Sequence, residues 1–295
     1  MRKFALLFIF SFLSLNIPAF AQQQFSIATL NTWMIPVLRK KANIRASVIG
    51  EALKKYDGAF LQEVFNNKQK KIFKKKLQGF NSHEDSRPLG KLTSGLLSFS
   101  RYPIIRKEFL RYKDCKLAQC FANKGVILTR VKISEDVAVD IYNTHTEPFS
   151  DRSEIRKKQF EQLIDFMFVN DPLRMNPTVI LGDLNIHSET DEYDLLNSRL
   201  GRFGFRDSWV ELNGGLPGFT WNSFENEWGQ ILERKPDERS KERLDYIYVR
   251  DGAISRIELD EVELIFNERI KLKPSDSEQH FLSDHYGVGA TMTFY

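Results

Sequence analysis

Hydrophobic positions along this chain switch between a period of two and a period near 3.6. Residues 25–30 alternate like a strand. Ile44, Val48, Ile49, Ala52, Leu53 and Tyr56 recur at helical spacing, which predicts an amphipathic helix over 40–56. Gly58 breaks that pattern before a short apolar run at 59–64. Residues 92–100 and 103–112 read as two strands joined by a turn at Tyr102-Pro103. Residues 126–133 and 137–144 read as another strand pair around the acidic turn Glu135-Asp136. Ser150 or Asp151 can cap a helix running to about residue 168, and Ser188 or Thr190 a second ending near 200. Further strands are expected at 244–249, 254–265 and 285–294.

Hairpins thus mix with helical crossovers. That excludes a simple doubly wound parallel sheet and suits two mixed sheets packed face to face, with helices outside. No repeat, low-complexity stretch or long Pro/Gly/Ser linker divides the chain.

The run Pro177-Thr178-Val179-Ile180-Leu181-Gly182-Asp183-Leu184-Asn185 carries the strongest single signal. It reads as a buried strand that delivers an Asp and an Asn at its carboxyl end. Other apolar runs also hold a polar residue near an end: Asn31, Glu63, His145, Asp245 and the pair Asp284-His285. Taken singly, each is as well explained by a turn, a cap, an edge strand or an Asp245–Arg243 pair. Together their chemistries are complementary. Glu63 and Asn31 offer hard oxygens suited to Mg²⁺. Two histidines can move protons near neutral pH, and a carboxylate can fix the tautomer of one of them. An Asn can donate to a phosphoryl oxygen as charge builds there. The set describes metal-assisted hydrolysis of a phosphate ester.

The amino terminus is a different kind of segment. Arg2 and Lys3 precede an apolar run to Ile17, followed by Ala19-Phe20-Ala21. This is the pattern of a secretory signal peptide, and the run is too short to span a bilayer. Removing 21 of the 295 residues leaves 274, one large catalytic domain over 22–295. It also lowers the formal charge from +4 to +2, so the mature chain is nearly neutral. That argues against a nuclease, which binds phosphates through many Lys and Arg contacts. Charge is nevertheless placed unevenly. Residues 68–76 hold six lysines, with Ile72, Phe73 and Leu77 spaced as the buried side of a helix and the lysines as its wet face. The two cysteines, Cys115 and Cys120, suit a disulfide in an exported protein.

Six segments resemble the endonuclease/exonuclease/phosphatase (DNase I-like) superfamily and stand in its order. They are Thr29-Leu30-Asn31-Thr32-Trp33, Leu61-Gln62-Glu63-Val64, Thr144-His145-Thr146, Gly182-Asp183-Leu184-Asn185, Leu244-Asp245-Tyr246-Ile247 and Ser283-Asp284-His285-Tyr286. The resemblance implies a four-layer α/β sandwich with the site at one edge of the sheets. Local cues are most similar to bacterial and neutral sphingomyelinases: residues 94–104, Phe121-Ala122-Asn123-Lys124-Gly125-Val126, Gly218-Phe219-Thr220-Trp221 and residues 283–288.

That resemblance implies a secreted or periplasmic enzyme that cleaves sphingomyelin to ceramide and phosphocholine. By position, Glu63 is implied to bind Mg²⁺, for which Mn²⁺ or Co²⁺ can substitute, with Asn31 beside it and Asp284 in support. His285 is implied as general base oriented by Asp245. Asp183 is implied to position the nucleophile, Asn185 to contact phosphate, and His145 to steady the transition state or assist the leaving group. Asn123 and Lys124 are implied on the phosphate side. The expected partner is a phospholipid at a membrane surface, met by a peripheral monomer, with no nucleic acid. A secreted nuclease or phosphoinositide phosphatase is the alternative, and an inactive membrane-binding protein a third reading.

Three positions depart from relatives of this kind. Between Arg250 and Gln279 the only aromatic residue is Phe266, so no aromatic membrane hairpin is expected there. Gln119 stands where some neutral sphingomyelinases have an Asp five residues before the lysine. Trp33 stands where abasic-site endonucleases have an acid.

Overall fold

The alternation in residues 25–30 becomes a strand whose two faces serve different cores. Phe25 and Ile27 point to one side, Ala28 and Leu30 to the other, and all four are buried. A strand buried on both faces must lie between two packed layers. The structure, a computed structural model, describes residues 22–36, 40–85, 92–233 and 235–295. The expected signal peptide, residues 1–21, lies outside the described residues.

The first part of the chain runs β1 (Gln23–Asn31), α1 (Ala42–Ala52), β2 (Gly58–Gln62), α2 (Asn67–Lys76), β3 (Asn81–Glu84) and β4 (Leu97–Ser100). It continues with β5 (Ile104–Arg111), β6 (Gly125–Lys132), β7 (Ala138–His145), α3 (Ser153–Asn170), β8 (Thr178–Asp183) and α4 (Asp191–Gly201). Then come β9 (Arg206–Asp207), α5 (Ser208–Asn213), β10 (Trp221–Asn222), α6 (Glu227–Leu232) and β11 (Lys241–Glu242). The chain ends with β12 (Asp245–Arg250), β13 (Ile257–Ile265) and β14 (Gly287–Phe294).

One six-stranded sheet has the order β13-β14-β1-β2-β4-β3, the other β5-β6-β7-β8-β12-β9. Both are mixed: β1 runs parallel to β2 and β7 parallel to β8, while β1–β14 and β8–β12 are antiparallel. Three apolar layers hold four layers of backbone together. Phe25, Ile27 and Phe60 meet Ile141, Leu181 and Val249 between the sheets. Ile49, Leu53 and Phe73 of the α1–α2 side cover the outer face of the first sheet. Phe160, Leu163 and Leu196 of α3 and α4 cover the second. Truncating one such side chain, Phe60→Ala for instance, costs about 3–5 kcal/mol. This is the four-layer α/β sandwich expected from the sequence.

Several local expectations are corrected. The two strands flanking Tyr102-Pro103 do not pair: β4 lies in the first sheet and β5 in the second. Tyr102 packs edge-on against Phe25 at 5.8 Å, so the bend carries the chain across the inter-sheet core. The lysine helix is α2, but Lys70 belongs to its buried side, bound to Thr93 Oγ1 at 3.1 Å and Glu84 at 2.7 Å. Ser150 opens a short 3₁₀ turn, and α3 begins at Ser153 with no side-chain cap. Gly182 is not a turn residue but sits inside β8 at φ +129°, where an added Cβ would stand 2.0 Å from the Thr144 carbonyl oxygen. Only glycine lets β7 and β8 approach there. Cys115 and Cys120 form the expected disulfide.

Candidate active site

The apolar inter-sheet layer gives way to polar residues at one end of the sandwich, without any change of period. On β8, Val179 and Leu181 face inward, and Asp183 is the next residue on that face. Strand register then places its neighbours. His145 is opposite Asp183 on parallel β7, and Asp245 is opposite it on antiparallel β12. Three polar side chains thus form a row across adjacent strands, roughly 5 Å apart. From the facing sheet, Asn31 at the end of β1 donates Nδ2 to Asp183 Oδ2 at 2.9 Å. One step deeper, Gln62 Nε2 donates to Thr29 Oγ1 at 3.0 Å and to Asn143 Oδ1 at 2.8 Å. These three polar side chains separate the site from the core.

His285 closes the row just before β14. Its Nδ1 lies 2.7 Å from Asp245 Oδ2, while its Nε2 stands 3.9 Å from Asp183 Oδ2. In the neutral imidazole, a proton on Nδ1 held by Asp245 makes Nε2 the basic nitrogen. Burial alone would lower the His285 pKa, but the carboxylates of Asp245 and Asp183 outweigh it and hold the value well above the ordinary histidine range. His145 behaves in the opposite way. Burial, then the Lys124 ammonium, pushes it down to about 3. Its Nε2 lies 3.5 Å from Asp183 Oδ2 and 2.9 Å from Lys124 Nζ. Lys124 is itself depressed by burial, against the pull of Asp183 and Glu63, and also donates to the Thr146 carbonyl at 2.5 Å.

Glu63 follows β2 rather than lying within it, at φ +61°. Asn185, at φ +50°, likewise turns out of the end of β8. Such left-handed backbone at non-glycine residues costs free energy and collects at functional sites. Both residues are half-buried, whereas Asp183, Asp245, His145 and His285 are buried, so these two face the opening. Asn185 N donates to Asp183 Oδ1 at 2.9 Å and its Nδ2 to the Thr146 carbonyl at 3.3 Å.

Glu63 Oε2 is sealed from solvent and lacks a hydrogen-bond partner. Burial and then the Asp284 carboxylate raise the Glu63 pKa, and burial raises that of Asp284 against the pull of His285 and Arg45. Two carboxylates that crowd each other this way, one with an orphaned oxygen, fit a hard divalent cation. A second acceptable group is Asp183, Asp245 and His285, whose donor atoms all lie within 4.8 Å of one another. A cation there would compete with the 2.7 Å Asp245–His285 bond, so Glu63 is the better anchor.

Asn123 precedes Lys124, and its buried Oδ1 has no hydrogen-bond partner. Its Nδ2 donates to Asp85 Oδ2 at 3.3 Å, and its backbone stands at φ +46°. Trp33 packs against Trp228 with ring centroids 5.5 Å apart. Several contributors went unrecognised in the sequence. Thr220 Oγ1 accepts from Leu244 N and Asp245 N at 3.0 and 3.1 Å, and Trp221 packs edge-on against His285 at 5.2 Å. Both sit in a segment noted only as a local cue. Arg45 is a charged residue on the buried stripe of α1, an anomaly that could have singled it out.

Residues 28–285 match the Endonuclease/Exonuclease/phosphatase family. Among curated proteins, a candidate neutral sphingomyelinase of Drosophila melanogaster is 28% identical over 284 residues, covering 92% of this chain. The match spans 61% of the fly protein's length. Among solved structures, beta toxin from Staphylococcus aureus superposes with TM-score 0.72 at 21% identity, over 90% of this chain and 99% of that one. A Danio rerio TDP2 complexed with single-strand DNA product gives 0.68 at 20% identity, over 92% and 99%. At these identities the two structures establish the fold. Among the described residues, no helix is long and apolar enough to cross a membrane.

Proposed function

The chain belongs to the endonuclease/exonuclease/phosphatase family, and within it we propose an exported, Mg²⁺-dependent phosphodiesterase that cleaves sphingomyelin to ceramide and phosphocholine. The observation that carries the chemistry is the His145–Asp183–Asp245 row with His285 bonded to Asp245 at 2.7 Å. The sphingomyelinase name of the fly relative supports the substrate, and the pattern of residues 1–21 supports export.

Water attacks phosphorus in line, the P–O bond to the ceramide oxygen breaks, and that oxygen takes up a proton from solvent as it leaves. His285 Nε2 takes the proton of the attacking water, and Asp245 stabilises the imidazolium that forms. Asp183, fixed by Asn31 Nδ2 and Asn185 N, accepts the other water hydrogen and so aims the nucleophile. Lys124 and Asn185 donate to the phosphoryl oxygens, where hydrogen-bond donors stabilise developing charge, and His145, whose Nε2 accepts from Lys124, holds that ammonium in place. The cation, held by Glu63 with Asn31 and Asp284 beside it, neutralises phosphoryl charge when bound.

A panel of sphingomyelin, phosphatidylcholine, phosphoinositides and single-stranded DNA, with Mg²⁺ and with EDTA, tests the proposal. Sphingomyelin is expected to turn over fastest, and only with metal. Preference for DNA would make the chain a nuclease, and preference for phosphoinositides a phosphatase.

A further inference from the structure

The segment that delivers Asp284 and His285 is hung from side chains. Residues 281–284 form neither helix nor strand, yet all four are buried. Buried carbonyls require donors. The Phe281 oxygen accepts from Trp228 Nε1 at 2.7 Å, and the Leu282 oxygen from Arg45 Nη1 at 2.8 Å. The Ser283 and Asp284 oxygens both accept from Asn226 Nδ2, at 2.8 and 3.1 Å. Four consecutive carbonyls are thus captured by three side chains.

Two of the three also reach elsewhere. Arg45 is fully buried, lies beside the rings of Trp33 and Trp228, and makes no ion pair among the described residues. A buried guanidinium is expensive unless its donors are used. Here they go to the carbonyls of Thr32, Trp33 and Lys40 at 2.9, 2.8 and 3.0 Å, besides Leu282. One side chain therefore ties the loop after Asn31 to the loop before His285. Ser283 Oγ adds a bond to the Asn31 carbonyl at 2.6 Å. Asn226 divides its amide: Oδ1 caps α6 by accepting from Trp228 N at 3.0 Å, and Nδ2 serves the two carbonyls.

We propose that Arg45 and Asn226 are positioning residues, which hold residues 281–284 from α1 and from the start of α6 and thereby set His285 against Asp183 and Asp245. The inference rests on the phosphoester reading of this site. His285 Nε2 faces Asp183 across 3.9 Å, and displacing a reacting group by about 1 Å can cost a hundredfold in rate.

Asn226→Asp keeps the helix-capping oxygen and the side-chain volume but removes both donated bonds. Arg45→Lys keeps the charge but loses the fork. Leu163→Ala, in the separate core between α3 and the second sheet, serves as a control that lowers the melting temperature without touching the segment. Two readouts are taken: kcat and KM on the soluble diester bis(p-nitrophenyl) phosphate at saturating Mg²⁺, and the low-field proton resonance of the His285–Asp245 bond in metal-free protein. Asn226→Asp is expected to lower kcat about 10- to 100-fold with KM within about twofold, and Arg45→Lys less. Both shift the resonance, and Leu163→Ala moves neither readout. If both positioning variants keep either the wild-type resonance or a kcat within about twofold, the proposal is overturned. If the wild-type protein hydrolyses no diester, the phosphoester reading fails, and the resonance alone still decides the positioning role.

Discussion

His285 and His145 share one carboxylate neighbour and are driven in opposite directions by the rest of their surroundings. His285 has Asp245 on its Nδ1, and that carboxylate together with Asp183 outweighs burial. His145 has an ammonium on its Nε2, which adds to burial. One imidazole is prepared to take a proton, while the other is kept neutral beside a cation. His285→Ala is expected to lower kcat at least about a thousandfold, and Asp245→Asn about a hundredfold or more, with small changes in melting temperature. Steady-state rates on a soluble diester and calorimetry on the same samples check this. A His285→Ala variant of near wild-type activity would refute the base assignment. These residues could be read from the sequence because an acid, an amide or a histidine at the end of an apolar strand is conspicuous. Arg45 stands out only as a charge on the buried stripe of α1, and neither its role nor that of Asn226 was legible, because the carbonyls they hold lie 237 and 57 or 58 residues away. No local pattern encodes such a contact.

At the scale of elements, the period of two did most of the positioning. Once Val179 and Leu181 face the inter-sheet core, Asp183 must face the same way, and register carries His145 and Asp245 alongside it. Strand identity was therefore readable, but strand partners were not. A Tyr-Pro bend looks the same whether the chain doubles back or crosses to another sheet, and only the packing of Tyr102 on Phe25 distinguishes the two. Lys70 shows the same limit, since an acid on β3 and a hydroxyl make burial of a lysine tolerable.

His83, on β3, offers a test of this packing away from the site. Its Nδ1 lies 3.0 Å from Thr129 Oγ1 on β6, and burial, then Lys107, pushes its pKa down to about 4. The unfolded chain therefore binds this proton near pH 6.5, before the folded chain does. Its contribution is intact above that pH and is lost as pH falls from about 6.5 to about 4, on the order of 3 kcal/mol in all. Denaturant titrations across this range should show the loss in the wild-type protein and a flatter profile in His83→Gln. Parallel profiles for the two proteins would contradict the assignment.

For the whole molecule, two sheets and their helices hold the catalytic row at one end and leave Glu63 and Asn185 at its opening. The crowded Glu63 and Asp284 carboxylates predict that a divalent cation stabilises the fold. At about a hundred times its dissociation constant, Mg²⁺ should add about 2.7 kcal/mol, seen as a raised melting temperature. Glu63→Gln should abolish that response, and an undiminished response would move the cation to another group. The substrate depends on the opening rather than on the fold. Phosphocholine release from sphingomyelin vesicles, measured for wild-type protein and His285→Ala at saturating Mg²⁺, tests the central claim most directly. Metal-dependent release by the wild-type protein alone is the predicted result, and release no greater than that of His285→Ala would contradict it.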